Sequence, residues 1–438
     1  MDFVPLIRDL NTEQTKAVAT ILGCRGVPPC VIYGAPGTGN TLTVVEAILQ
    51  VAKRKTNILV CAASNASADI LLKKLVQHNT FRPCHVFRLN SPCHQYEDVD
   101  HDLIQYCFVA NREFKCPLFH ILSQYKIVIS TYTSSYLLQD EGILQGHFTH
   151  IFLDDAGQVS EPETMIPLAG LCARDIVVVL AGDPMQLGPV VYCKEAEKGG
   201  LQRLLDSKPY KTGKSDYVTK LMRNYRCHPA ILALPSKLFY SGELIAHKDD
   251  KVPLIYDCIG LPNRLFPVLF VGVQGCNEME SSDPSWFNAI EVSKVVSLIG
   301  KLRSGGVREA DIGVIAPFRL QVYKIKQALK ELDMTDLKVG NVEQFVGEER
   351  EIMIVSTVRT TVKFNEFDNF LNLGILNNHR SFDVAISCAK SLLIIVGNPY
   401  IITKDWHWSR LLKHCDENGS YQGCPLPPPD NGSYQGSS

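Results

Sequence analysis

The sequence predicts an α/β protein of two tandem domains, each a parallel sheet covered by helices on both faces. Three observations carry that expectation. Short apolar, β-branched runs alternate with helical patterns through most of the chain, as strands joined by crossover helices do. The runs are continuous rather than alternating, the mark of strands buried on both faces. They also form two series, separated near residues 215–235 by Asn224-Tyr-Arg-Cys-His-Pro229.

In the first series, residues 30–33, 58–61, 127–130, 150–153 and 176–181 read as strands, each bounded by turn or polar residues. The second series comprises residues 269–273, 312–316, 352–357 and 392–396. The domains expected from this are residues 1–222 and 223–412. A Cys/His-rich stretch at about 81–120 is expected to be a small insert in the first. Residues 413–438 are rich in Gly, Ser and Pro, carry NGSYQG twice, and are expected to be a disordered tail.

Composition narrows the class without naming a function. Of the 438 residues, 45% are hydrophobic and 21% charged, enough apolar material for more than one core. Lys plus Arg (44) nearly balance Asp plus Glu (46), so a nucleic-acid partner would need a local basic groove rather than bulk charge. The N-terminus lacks a basic segment followed by an apolar run, and no apolar stretch approaches the roughly 18 residues of a membrane span. The expectation is a monomeric protein of the cytoplasm, with the nucleus as the alternative, and with reduced thiols, its 15 cysteines notwithstanding.

Gly34-Ala-Pro-Gly-Thr-Gly-Asn-Thr41 stands between a strand and a helical pattern, the setting of a phosphate loop. Gly34, Gly37, Thr38 and Gly39 would turn backbone N–H groups toward phosphates, and the following helix N-terminus adds positive potential. Thr41 stands where a hydroxyl ligates Mg²⁺. Asn40 occupies the lysine position, so the cationic contact to the β- and γ-phosphates is missing. Taken alone, such a loop is also compatible with an ordinary glycine-rich turn.

His150-Ile-Phe-Leu-Asp-Asp-Ala-Gly157 is a strand ending in two acids. Asp154 there can hold Mg²⁺, and Asp155 can accept a proton from an attacking water. An isolated Asp-Asp pair is more often a solvated turn. Here a phosphate loop lies upstream, and Gly182-Asp-Pro-Met-Gln-Leu-Gly-Pro189 lies downstream at another strand end, with Gln186 able to sense a γ-phosphate.

Together with Leu10-Asn-Thr-Glu-Gln14, Ser64-Asn-Ala-Ser-Ala-Asp69, Val342-Glu-Gln-Phe345 and Phe382-Asp-Val-Ala385, these segments resemble superfamily 1B RNA helicases of the nonsense-mediated-decay type. The branch most resembled holds the plant silencing-defective RNA helicase and its animal relative, the Moloney leukaemia virus helicase. The resemblance covers about residues 10–423. It implies tandem RecA-like domains, ATP and Mg²⁺ as cofactors, single-stranded RNA and RNA-silencing proteins as partners, and 5′-to-3′ movement driven by hydrolysis. By the same resemblance Gln14 reads the adenine edge, Tyr225 stacks on the base and Glu349 bonds the ribose. Gln186 and Arg226 reach the γ-phosphate, and Ser64, Asn65, Thr131 and Pro317 line the RNA track.

Several positions depart from that pattern. The family has lysine at Asn40, glutamate at Asp155, an arginine finger at Cys388 and glutamine at Val346. An arginine finger is worth about 10³–10⁵ in rate, and a hydrogen bond to a charged group roughly 1.5–3 kcal/mol. The expectation is hydrolysis near background with weak nucleotide binding retained; the alternative is a lysine swinging in from elsewhere. Family members also carry a stalk and an accessory β-domain before this point, so unwinding is expected to suffer too. A non-catalytic RNA- or partner-binding pseudohelicase and a decayed gene copy are the competing functions.

Other features read as structural. The spacings of Cys84, His85, Cys93, His94, Cys107, Cys116 and His120 fit no zinc pair. Trp286, Trp406 and Trp408 are expected to fill a core, and Lys53-Arg-Lys55 to be a solvated helix end.

Overall fold

The computed structural model describes residues 3–26, 28–78, 80–189, 199–211, 216–280, 283–360 and 378–428. The chain divides into two compact units, Met1–Tyr225 and Arg226–Ser438.

The first unit alternates helix and strand: α1 (Thr12–Gly23), β1 (Cys30–Gly34), α2 (Asn40–Ala52), β2 (Ile58–Ala62), α3 (Asn65–Val76), β3 (Val86–Arg88), β4 (Ile127–Thr131), β5 (His150–Leu153), α4 (Glu161–Leu171), β6 (Val177–Gly182) and β7 (Val218–Leu221). Its seven-stranded sheet is parallel throughout, in the order β3-β4-β2-β5-β6-β1-β7, and a short antiparallel pair, Val109–Ala110 with Glu113–Phe114, stands apart from it. Two apolar clusters cover the two faces. Val44, Ile48, Val60 and Ile129 lie in one, Val31, Leu59, Val128 and Ile151 in the other. Neighbouring strand residues thus point to opposite faces and both are buried, which is why the runs lack alternation.

The expected insert at 81–120 is only partly one. Val86–Arg88 is the edge strand of the main sheet, held by fully buried Arg88, which pairs with Asp69 at 2.7 Å and donates to the Asn65 carboxamide oxygen. A three-residue strand is too short for a periodicity argument, and its charged residue conceals it.

In the second unit the elements are α5 (Pro229–Phe239), β8 (Val268–Gly272), α6 (Ala289–Ser304), β9 (Ile312–Ile315), α7 (Arg319–Glu331), β10 (Lys338–Gly340), β11 (Arg350–Ser356), α8 (His379–Ser387), β12 (Ala389–Gly397), α9 (Trp406–Glu417) and β13 (Tyr421–Gly423). The six-stranded sheet is again parallel, in the order β10-β9-β11-β12-β8-β13, with a separate antiparallel pair formed by Glu278–Glu280 and Asp283–Phe287.

The tail expectation is corrected over residues 413–428. Helix α9 buries Trp408, Leu411, Leu412 and Cys415, an i, i+3, i+4, i+7 stripe that carries it through Glu417. The chain then adds β13 to the sheet edge beside β8. Residues 429–438, with the second NGSYQG, lie outside the described residues. Of the three tryptophans only Trp408 is fully buried; Trp406 is exposed beneath the Arg410 guanidinium, and Trp286 is half-buried beneath Arg359.

Candidate nucleotide site

In the first unit the phosphate loop leaves β1 and enters α2 through Gly39, the helix cap, at φ 92°. That left-handed backbone suits glycine, and a Cβ there would run into the Gln14 amide. Thr38 closes the loop by donating its hydroxyl to the Ala35 carbonyl at 2.7 Å. Asn40 does not extend toward the loop's mouth. Its Nδ2 donates to the Gly34 carbonyl at 2.5 Å, while its Oδ1 is buried without a partner. The short amide folds back where a longer cationic stem would reach out.

Gln14 is fixed by a capping box at the start of α1. Asn11 Oδ1 accepts from the Gln14 N–H, and Gln14 Oε1 accepts from the Asn11 N–H. Gln14 Nε2 donates to the Thr38 carbonyl at 3.1 Å, so the glutamine is tied directly to the phosphate loop. Tyr225 joins them: its N–H donates to the Gly37 carbonyl at 2.8 Å, and its hydroxyl accepts from Asn11 Nδ2 at 2.9 Å. Asn224 Nδ2 donates to the Pro36 carbonyl. Residue order alone does not single out Asn11 or Asn224, although Asn11-x-x-Gln14 is a readable capping pattern.

The acid strand β5 ends beside this loop. The Asp154 carboxyl is pushed up by burial and then by neighbouring Asp155, with the Thr41 hydroxyl among the groups that oppose the shift. Asp154 Oδ1 is buried and unpartnered. Asp155 sits at φ 54°, half-buried, and is also raised, chiefly by burial, with the Ser67 hydroxyl and Lys74 opposing. Thr41 and Asp154 together present hard oxygens and one unsatisfied lone pair, a donor set that suits Mg²⁺ supplemented by phosphate oxygens. Gln186 is half-buried on the segment after β6, near the carboxyl end of the sheet.

The predicted track residues are placed unevenly. Ser64 is exposed and caps α3, accepting from the Ser67 N–H at 3.1 Å. The Asn65 side chain is held by Arg88. Thr131 is buried, and its hydroxyl donates to Ser134 Oγ and accepts the Ser134 N–H. That inward bonding gives Thr131 a structural duty the sequence did not reveal. Pro317 is half-buried just past β9.

In the second unit Arg226, Glu349 and Cys388 gather. Arg226 Nε bonds Glu349 at 2.6 Å, and Lys390 bonds the other carboxylate oxygen at 2.8 Å. Burial raises the Glu349 carboxyl, but Arg226 and Lys390 outweigh it, and the net shift is downward. Cys388 is buried and donates its thiol to the Phe345 carbonyl; burial pushes that thiol up to about 12. It is a packed, protonated thiol.

Two family models, each described as an AAA domain, match this chain: one over residues 9–94 and 94–194, the other over 198–400. Human RNA helicase Mov10l1 is 40% identical over 96% of this chain and 36% of its own length. Zebrafish putative helicase mov-10-B.2 is 41% identical over 95% and 44%. Probable RNA helicase armi of Drosophila melanogaster is 34% identical over 96% and 39%. The two AAA-domain matches together cover most of the chain, and its similarity to these helicases runs along nearly its whole length.

The chain spans less than half the length of these relatives. The Gly34–Thr41 loop, the end of β5 and the Gln14–Tyr225 pair all lie in the first unit. No group of three or more His, Cys, Asp or Glu side chains suited to a metal occurs among the described residues. Mg²⁺ at such a site needs only one or two carboxylates beside the phosphates.

Proposed function

We propose that this chain is the motor core of an RNA helicase of the silencing type, in a copy that binds nucleotide weakly and hydrolyses it near background. The family matches and the names of its relatives support RNA as the polymer and ATP as the nucleotide. Gln14 and Tyr225 would take the base, the Gly34–Thr41 loop the phosphates, and Thr41 with Asp154 the Mg²⁺. Mg²⁺ supplies charge neutralisation between phosphate oxygens. Cytoplasmic residence, monomeric state and silencing-protein partners belong to the same proposal.

The observation that supports impaired hydrolysis most directly is Asn40 closing onto the Gly34 carbonyl. A neutral side chain turned inward leaves the loop itself with only backbone donors for the β- and γ-phosphates. Asp155 holds a carboxylate one methylene shorter than glutamate, and Cys388 is a buried thiol where the family has a cation. Any one loss is damaging, and residues that act as a unit do not compensate additively.

The test is repair. Asn40→Lys, Asp155→Glu and Cys388→Arg together should give RNA-stimulated ATP hydrolysis at least tenfold above the unmodified chain. A repaired protein that folds and binds ATP yet turns over no faster would overturn the assignment of the defect to these residues.

A further inference from the structure

The exit of β11 carries a strained turn. Val358 sits at φ 69°, and the Arg359 N–H donates to the Thr357 carbonyl at 2.8 Å, a three-residue γ-turn. A β-branched residue in left-handed backbone is an outlier, and γ-turns of this hand are rare and strained. Such strain persists only where the surroundings over-determine it, and it clusters at functional sites.

What over-determines this turn is a closed ring of buried polar side chains. Glu291, on the first turn of α6, is fully buried and accepts the Val358 N–H at 2.9 Å and the Ser356 hydroxyl at 2.6 Å. Ser356 Oγ accepts from Gln321 Nε2 at 2.9 Å, and Gln321 Oε1 accepts the Asn288 N–H at 2.8 Å. Asn288 Nδ2 reaches the Val358 carbonyl at 3.3 Å and so grips the turn from its other side. Asn288, Glu291, Gln321 and Ser356 are all at 0% exposure. A buried carboxylate is costly unless fully hydrogen-bonded, and here its bonds converge on one backbone segment.

The place of the turn matters. Strands β9 and β11 run parallel with Ile315 opposite Val355, so Pro317 and the turn leave adjacent strands at the same carboxyl edge. Open α/β sheets bind their ligands at that edge.

We propose that Glu291 is a positioning residue, holding the Thr357–Val358–Arg359 backbone in its strained form so that the β11 exit stands beside Pro317 as one wall of a single-stranded RNA track. This rests on the RNA-motor reading above and deepens it. Glu291 touches no RNA itself; it sets where the turn's backbone lies.

Four forms of the full chain test this: unmodified, Glu291→Gln, Val358→Gly, and the two combined. Each is measured for amide exchange over residues 356–360 and for affinity toward a short fluorescent polyuridine. Both bonds to this segment fall on Oε2 while Asn288 Nδ2 faces Oε1, so a glutamine keeps the volume but sets its NH₂ against a donor of the ring in either orientation. Glu291→Gln should speed exchange at Val358 at least tenfold and weaken polyuridine binding about tenfold, with the far-ultraviolet spectrum unchanged. Glycine adopts this φ without a clamp, so adding Val358→Gly should recover most of the affinity, although deleting a buried valine lowers the melting temperature. A merely structural Glu291 would show no such rescue. Should Glu291→Gln misfold, Ser356→Ala removes one of its ring partners and should show the same pair of effects, smaller. Unchanged exchange, or unchanged affinity despite faster exchange, would overturn the positioning role, as would a double variant no better than Glu291→Gln. An unmodified chain that binds no polyuridine would instead sink the RNA reading, while the exchange arm still judges the clamp.

Discussion

Replacing Asn40 with lysine isolates the missing cation. In the present structure Asn40 contributes one hydrogen bond, to the Gly34 carbonyl, and leaves its own Oδ1 buried and unpartnered. An ammonium reaching β- and γ-phosphate oxygens contributes roughly 1.5–3 kcal/mol. Losing the Asn40–Gly34 bond costs the fold about 1 kcal/mol, but that bond is absent from the variant with or without ATP and does not offset the gain in binding. A gain of about 1.5–3 kcal/mol corresponds to ATP binding roughly 10- to 150-fold tighter. Calorimetric titration with Mg-ATP reads this, and AMP, which has no β- or γ-phosphate, is the control. Asn40→Lys should tighten ATP and leave AMP unchanged. Turnover should stay near background, because Cys388 still stands for a group worth about 10³–10⁵ in rate. Equal tightening of ATP and AMP, or no tightening at all, would refute this role for Asn40.

Three further outcomes follow from packing and charge. Arg88→Met removes the buried partner of Asp69 and should destabilise the first unit by about 3–5 kcal/mol in urea unfolding, the cost of stranding a paired buried charge; a loss under about 1 kcal/mol would contradict the pairing. Trp408→Ala, which removes a fully buried ring packed edge-on against Phe382 at 4.8 Å, should cost the second unit about 3–5 kcal/mol by the same method. Burial holds the Glu291 carboxyl at about 7, above its ordinary 4.5, even though Ser356 and Val358 oppose the shift. The folded chain then binds this proton more tightly than the unfolded one, so the group lowers stability as pH rises from about 4.5 to about 7 and adds no dependence above that. Glu291→Gln should lose that component, so melting curves of the two forms should diverge across this window and run parallel above it.

Much of this architecture is readable from residue order because its strands are buried on both faces. Residues 58–61 and 392–396 are uninterrupted apolar runs and became β2 and the centre of β12. The edges were harder. Strand β3 contains the buried Arg88, and β13 is three residues of Tyr, Gln and Gly, so neither offers an apolar signature; both exist because a neighbouring strand presents free backbone groups. The stretch after residue 413 misled through composition, whereas the stripe ending at Cys415 held the helical signal. At the site, residue types pointed to the phosphate loop and to the acids. Their orientations could not be read, because whether Asn40 reaches outward or folds onto Gly34, or Thr131 turns to Ser134, depends on atoms brought close only by folding.

The most direct check on impaired hydrolysis is phosphate release by the unmodified chain, with saturating ATP, Mg²⁺ and single-stranded RNA, after gel filtration has removed contaminating ATPases. Release indistinguishable from a protein-free blank is the outcome predicted. Sustained, RNA-dependent turnover would contradict it, and would mean that another group supplies the charge Asn40 and Cys388 lack.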